Sequence, residues 1–393
     1  MNEATETLAN LFAEPHRVTS LDQCFFYHAM DLPVHGSVEG YWDLRGNESQ
    51  YLGDVSFAGK RVLEIGPASG HVSFFMEREG AEVVSVEAGE NYPWEFFWDI
   101  DSQPPVGLAD KVASHREMMS RLRNSYWLAH SAFESRARVH YGSAYSIPSA
   151  LGLFDISVIG CVLLHNKNPL QILENCARLT RETVVIVEVF RETQLAQSPA
   201  VFQPTANEPF WHTWWSFSPV YFVDILRSMG FTQHRVTFHQ QICQRVPTSL
   251  FTVVASRNPL GAVSHDEGLI NVKLTSMMET LKLEAGELIK VPISIVNVGK
   301  VPLSSSTQQP LLLSYHWRNK SNEPIVWDGL RTSLLRTLFP GDREDLLLTV
   351  RVPADVGQYV LDITILQEHV TWYDDIIPGL PLRIKATVTE RER

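Results

Sequence analysis

Residues Val62–Gly70, VLEIGPASG, constrain this chain more than any other segment. An apolar run, Arg61–Ile65, leads into a turn holding Gly66, Pro67 and Gly70, and a helical period begins at His71. A strand that turns through glycines into a helix lets a ligand approach the backbone closely and meet the helix N-terminus. Further features converge here. Glu64 precedes the first glycine by two positions, and the spacing is E-x-G-x-x-x-G rather than the dinucleotide spacing G-x-G-x-x-G. Glu87 ends the next strand-like run, where a carboxylate can accept both hydroxyls of a ribose.

Around this turn the sequence alternates. Strand-like runs at Arg61–Ile65, Glu82–Glu87, Arg138–Tyr141, Phe154–Gly160 and Thr183–Val189 are separated by helical patterns at His71–Glu79, Arg116–Glu134 and Pro169–Leu179. This predicts an α/β fold with a doubly wound parallel sheet. A helix near Pro219–Met229 and two β-rich runs separated by a loop, Gln233–Gln240 and Ser249–Ser256, predict an antiparallel edge hairpin. The pattern changes after Asn258-Pro259-Leu260-Gly261. Short runs such as IKVPISIVNVG, PLLLSYHWRN and QYVLDITIL then recur between turn signals, which predicts an all-β immunoglobulin-like sandwich. The expected division is a lead-in over 1–54, an α/β domain over 55–258 and a β domain over 266–393.

The composition agrees with two domains. A chain of 393 residues exceeds what one core usually supports, and 44% hydrophobic with 20% charged residues suits a globular protein. No apolar run reaches the roughly 18–20 residues of a membrane-spanning helix. The acidic N-terminus, MNEATETLANLFAEPHR, lacks the basic and apolar regions of a signal peptide. Cys24, Cys161, Cys176 and Cys243 show no C-x-x-C spacing, which argues against a zinc site or a disulfide framework and for a reducing compartment, the cytoplasm. A net charge of −12 disfavours nucleic acid as a partner.

VLEIGPASG followed by VVSVEA resembles the first two motifs of class I methyltransferases, which bind S-adenosyl-L-methionine. The resemblance covers about residues 55–256. It implies that Gly66, Pro67, Ala68 and Gly70 line the methionine and ribose of the cofactor, that Glu64 sits near its amino group, and that Glu87 holds the ribose. Ala68 stands where a middle glycine is common. Ser143 and Ala144, after the third strand, become adenine candidates, although the acid usual there is missing. Gly160, at the end of the fourth strand, faces the cofactor and acceptor. The segment beyond residue 268 resembles an immunoglobulin-like module appended to bacterial enzymes of surface-glycan pathways.

Methyl transfer to a hydroxyl needs a positioned acceptor and a base, most often His, Asp or Glu. His165 follows the fourth strand. The lead-in YHAMDLPVHGSVEGYWDLRG supplies His28 and Asp31 as further base candidates, and Tyr27, Trp42 and Arg45 as acceptor-binding ones; Arg45 can instead pair with Asp43 or Asp31. NEPFWHTWWSFSP adds His212, Trp214 and Trp215 as an acceptor wall, and NYPWEFFWD, Asn91–Asp99, a possible lid. Trp327, Trp372 and Tyr373 form a glycan-binding face of the β domain, or are aromatics of its core. Cys161, His165, Glu188 and Arg191 do not make a magnesium site, so metal-independent transfer is expected. The reading is thus an O-methyltransferase for a sugar, glycoconjugate or small-molecule hydroxyl. A tRNA-modifying enzyme and a non-catalytic scaffold are the alternatives.

Overall fold

Near-continuous apolar strands build the centre of the first unit. The computed structural model describes residues 11–89, 108–191, 200–204, 213–260, 269–307, 309–374 and 376–390. The chain divides into two units, Met1–Leu260 and Gly261–Arg393. In the first, the lead-in forms β1 (Met30–Leu32), β2 (Gly36–Val38), β3 (Trp42–Asp43) and the short α1 (Glu48–Tyr51). Then come β4 (Arg61–Ile65), α2 (His71–Arg78), β5 (Glu82–Ala88), α3 (Leu108–Ala132), β6 (Arg138–Gly142) and β7 (Phe154–Gly160). They are followed by α4 (Pro169–Leu179), β8 (Thr180–Val189), β9 (Ala200–Phe202), β10 (Trp215–Phe217), α5 (Pro219–Ser228), β11 (Gln233–Cys243) and β12 (Val246–Ser256).

The sheet order is β3-β11-β12-β8-β7-β4-β5-β6. Strands β8, β7, β4, β5 and β6 run parallel. Val184–Val187 of β8 are wholly buried, as a strand covered on both faces requires. Helix α4 buries Ile172, Leu173, Cys176 and Leu179, with Asn168 capping its start by accepting the Gln171 N–H at 3.3 Å and Pro169 in its first turn. The order in which strands are added reverses beside β4, because β5 and β6 lie to one side and β7 and β8 to the other. The crevice outside the strand ends at such a switch point is where open α/β sheets bind ligands.

Three features depart from expectation. Strands β11 and β12 are joined by the two-residue turn Gln244–Arg245 rather than a loop, with φ of 48° and 67°. Positive φ at both positions matches the twist of a tight hairpin, but neither residue is the Asn or Gly that signals one. Beyond β11, Trp42 and Asp43 pair with Cys243 and Ile242, so the lead-in extends the sheet. Helix α3 also begins at Leu108, before the predicted Arg116, because its first turns lack an apolar period.

The second unit is all-β over its described residues. It comprises β13 (Val272–Thr275), β14 (Thr280–Glu284), β15 (Leu288–Asn297), β16 (Leu311–Arg318) and β17 (Pro324–Val326), then β18 (Thr332–Ser333), β19 (Arg343–Arg351), β20 (Gly357–Gln367), β21 (Thr371–Trp372) and β22 (Leu382–Thr389). One sheet has the order β13-β15-β19; the other has β14-β22-β20-β16-β17, with β18 on β16 and β21 on β20. Both sheets feed one core, Val291, Ile293 and Leu348 from the first, Tyr315, Trp317 and Ile363 from the second. Trp317 is fully buried and donates its indole N–H to Arg351 O at 2.9 Å. Tyr373 is buried in the same core, which withdraws it from any binding face. Trp327 is 47% exposed, stacked on His316 at 4.0 Å, with Trp372 at 6.1 Å. Trp317→Ala is expected to destabilise this unit by ~3–5 kcal/mol, through lost packing and an orphaned carbonyl, read as a lowered denaturant midpoint.

Candidate functional site

The strand–turn–helix segment is held open by its own backbone bonds. Gly66 donates its N–H to Val86 O at 2.9 Å, and Gly70 donates to Pro67 O at 2.8 Å. Gly66 has φ 73°, and a Cβ there would come within 2.6 Å of Val162. Gly70, with φ 88°, precedes α2; a Cβ would meet the Phe74 ring at 2.4 Å. Ala68 also takes a left-handed conformation, φ 50°, which costs an L-residue about 1–2 kcal/mol. Its N–H is fixed by the Glu87 carboxylate at 3.2 Å, which helps offset that strain.

Glu87 therefore ties the end of β5 across the turn. Its other oxygen accepts the Ala88 N–H at 2.8 Å. Burial raises its pKa, against the pull of these two donors and of the Arg123 guanidinium. Arg123 itself is buried, donates to Ala88 O at 2.9 Å and lies over the Tyr141 ring. Each carboxylate oxygen keeps a lone pair for a further donor.

A cavity of about 550 Å³ opens beside Glu87, a size typical of ligand sites. Of the cofactor candidates, Gly66, Ala68, Glu87, Ala144 and Gly160 line it. Glu64 does not. It is buried beneath the turn, accepting hydrogen bonds from Ser73 Oγ at 2.5 Å and Ser85 Oγ at 2.7 Å, and burial pushes its carboxyl up to about 7. Its side chain points to the α2 layer, so it supports the turn instead of facing a ligand's amino group. Pro67 and Gly70 also shape the turn without lining the cavity. Nor does Ser143 line it, since its hydroxyl accepts the Tyr145 N–H at 3.2 Å in a local turn; Gly142 stands there instead.

The lead-in and the turn after β7 also line the cavity. Trp42 and the Tyr27–Ala29 stretch are laced together by Ala29 N–H to Trp42 O at 2.7 Å and Trp42 N–H to Tyr27 O at 2.9 Å. The Trp42 indole donates to Tyr27 Oη at 3.3 Å. His28 donates its backbone N–H to Ser69 Oγ at 2.9 Å, which anchors the lead-in to the glycine turn. Its imidazole is buried in the wall, and burial, with His71 nearby, lowers its pKa to about 3 and keeps it neutral. Tyr51 was not signalled in the sequence; its hydroxyl packs against Gly160, where a Cβ would sit 2.6 Å away.

After β7, Cys161 takes φ 52° and donates to Val187 O at 2.7 Å. The next turn is fixed from below by Glu188, which accepts the N–H groups of Leu163 at 3.0 Å and Leu164 at 3.4 Å. This presents His165 at the cavity mouth beside Asn166, and Trp214 is hung on the same turn by its N–H to Leu164 O at 2.7 Å. Burial pushes the Glu188 carboxyl up to about 8. An acid whose pKa is raised on folding contributes stability that is complete below its unfolded value of about 4.5 and lost as pH rises through about 8. Glu188→Gln keeps an acceptor for both N–H groups but cannot ionise. Melting temperatures from about pH 6 to about pH 9 are therefore expected to fall less steeply in the variant than in the wild type.

Three candidates lie away from the cavity. Asp31 and Arg45 pair at 2.8 Å, Arg45 also binds Asp43 at 2.6 Å, and the Asp31 side chain is 69% exposed. They brace the β1–β2 hairpin, which corrects their placement as base and acceptor ligand. Trp215 donates its indole N–H to Lys167 O at 3.3 Å and packs on Phe202, so it backs the wall without lining it. His212 and Asn91–Asp99 lie outside the described residues. The sequence did not single out Phe25, Tyr41, His115, Met118 or Met119, which also line the cavity. Among the described residues no group of three or more His, Cys, Asp or Glu is placed to hold a metal ion.

No family model and no curated protein matches the chain. Among solved structures, it is similar to 1,6-didemethyltoxoflavin-N1-methyltransferase of Burkholderia thailandensis, solved with bound 1,6-didemethyltoxoflavin and S-adenosylhomocysteine, at 14% identity and a TM-score of 0.35 over 55% of this chain and 78% of that one. It is similar to magnesium protoporphyrin IX methyltransferase of Synechocystis PCC 6803 with bound SAH, at 11% identity and a TM-score of 0.33 over 54% and 80%. A SAM-dependent methyltransferase of Methanosarcina mazei is similar at 13% identity and a TM-score of 0.36 over 55% of this chain and 98% of that one.

Proposed function

We propose that the first unit is a metal-independent methyltransferase that uses S-adenosyl-L-methionine and acts on the hydroxyl of a sugar, glycoconjugate or small molecule. The observation that carries this reading is Glu87. Its carboxylate is fixed across a glycine turn at the switch point of the sheet, and it lines a cavity that His165 also lines.

The residues present fit that cofactor. Glu87 has free lone pairs for two ribose hydroxyls, Gly66 and Ala68 bring backbone to the cavity wall, and Gly142 and Ala144 leave a flat face for a base. The bound cofactor supplies a methyl group on a sulfonium, which leaves without needing a protein nucleophile. The chain's own work is positioning and proton transfer. Tyr27, Trp42 and Trp214 wall the acceptor; an imidazole nitrogen of His165 takes the hydroxyl proton and releases it to solvent at the mouth. His28 stays neutral and accepts or donates one hydrogen bond. In the second unit, read as an immunoglobulin-like module, the half-exposed Trp327 offers a stacking face for a glycan.

Calorimetric titration of S-adenosylmethionine and S-adenosylhomocysteine into the whole chain tests the reading. Dissociation constants in the micromolar range are expected. Absence of binding by either ligand would overturn it.

A further inference from the structure

We infer that His28, from the lead-in, binds the carboxylate of the cofactor through its Nε2–H. The inference rests on the methyl-transfer reading above and deepens it, by giving the amino-acid end of the cofactor its partner in this chain.

The imidazole of His28 is fixed by its neighbours. Ser69, wholly buried in the glycine turn, accepts the His28 backbone N–H at 2.9 Å. The Ser69 hydroxyl hydrogen has no acceptor among the described residues other than His28 Nδ1, 3.5 Å away. Nδ1 is therefore the acceptor nitrogen, and the ring hydrogen sits on Nε2. The Tyr27 ring stands at 86° to the imidazole, 5.2 Å between centroids, and the His71 ring lies 5.9 Å off. His71 Nε2 is itself 3.1 Å from Glu48 Oε1. His28 Nε2, by contrast, has no hydrogen-bond partner among the described residues, although the residue is only 7% exposed and lines the cavity. A donor held so deep costs free energy unless a ligand accepts from it.

The chemistry of the cofactor selects the accepting group. Ser69 belongs to the turn whose Gly66 and Ala68 line the cavity, the part read above as holding the methionine moiety. Of that moiety, the ammonium only donates and the sulfonium does neither, which leaves the carboxylate to accept. Glu87, an acceptor, takes the hydroxyl donors of the ribose, so the two residues serve opposite hydrogen-bonding roles. Gly66 and Ala68 cannot serve the carboxylate, because their N–H groups are bonded to Val86 O and Glu87. Among the described lining residues there is no Lys or Arg. A carboxylate leaving water there needs neutral donors. Burial, with His71 nearby, keeps His28 such a donor. Its role is then toward the cofactor and not the acceptor, which withdraws it from the candidates for the base.

Calorimetry on the whole chain with two ligands tests the assignment. They are S-adenosylmethionine and its decarboxylated form, which keeps the ammonium and the sulfonium. The wild type is expected to bind the decarboxylated ligand at least about tenfold more weakly, the loss of a charge-assisted hydrogen bond. His28→Ala is expected to lose at least about tenfold in affinity for S-adenosylmethionine, but no more than about threefold for the decarboxylated ligand. His28→Gln, in which an amide N–H replaces Nε2–H, should bind S-adenosylmethionine within about fivefold of wild type. Equal affinity of the wild type for the two ligands would overturn the inference without any variant. So would equal losses for both ligands in His28→Ala, which would make His28 a prop of the wall. Should His28→Ala fail to fold, His28→Leu refills the wall without a donor, and the same two titrations decide. Failure of the wild type to bind either ligand would instead remove the methyltransferase reading.

Discussion

Glu87→Ala is expected to weaken S-adenosylmethionine binding by about 30- to 100-fold. Hydrogen bonds to a charged group contribute ~1.5–3 kcal/mol, and each 1.4 kcal/mol is about tenfold in affinity. The same change removes the acceptor for the Ala68 N–H, so the left-handed turn loses the bond that offsets its strain. The fall in global stability should be smaller than the loss of two accepted hydrogen bonds alone would give. Burial already raises the Glu87 pKa, so deleting the carboxylate also removes a desolvation cost. Titration calorimetry paired with a thermal melt separates the two effects. Glu87→Gln retains one acceptor oxygen, and its loss of affinity should be intermediate. An unchanged affinity in Glu87→Ala would remove Glu87 from the cofactor site.

His165→Ala is expected to lower methyl transfer by about 10²–10⁴-fold, the usual contribution of a positioned base. Cofactor affinity should stay within about twofold, since His165 lies on the turn after β7 and not on the glycine turn or at the end of β5. Methyl transfer from labelled cofactor at fixed pH reads the loss. If transfer stays within about threefold of wild type, the base lies elsewhere.

The difference between these two residues shows what could be read in advance. Glu87 and the glycine turn announce themselves because their geometry is local. Strand, turn and helix lie within a few residues, and each requirement, an apolar run, positive φ, a carboxylate at the strand end, has its own residue type. The direction of Glu64 was not local. It follows from Ser73 and Ser85 on two other elements, which draw the carboxylate under the turn. Asp31 and Arg45 looked like site residues because charged groups in a lead-in are ambiguous until their partners are known. Tyr51 and Glu188 carried no signal, since a tyrosine in a short helix and an acid in an apolar strand mean nothing until they meet Gly160 and the Leu163 N–H.

By itself, the sequence determined the alternation of strands and helices, the change to an all-β second unit and the residues of the glycine turn. Those properties depend on backbone sterics and on apolar periods of 2 and 3.6 residues, which neighbouring residues set. Tertiary structure decided the rest. It put Trp42–Asp43 beside Cys243 and Ile242, made β14 and β22 parallel neighbours, and gathered Tyr27, Trp42, His165 and Trp214 around one cavity. Contacts between residues so far apart in the chain are selected by which faces can be buried together. That choice is made only when the whole core closes.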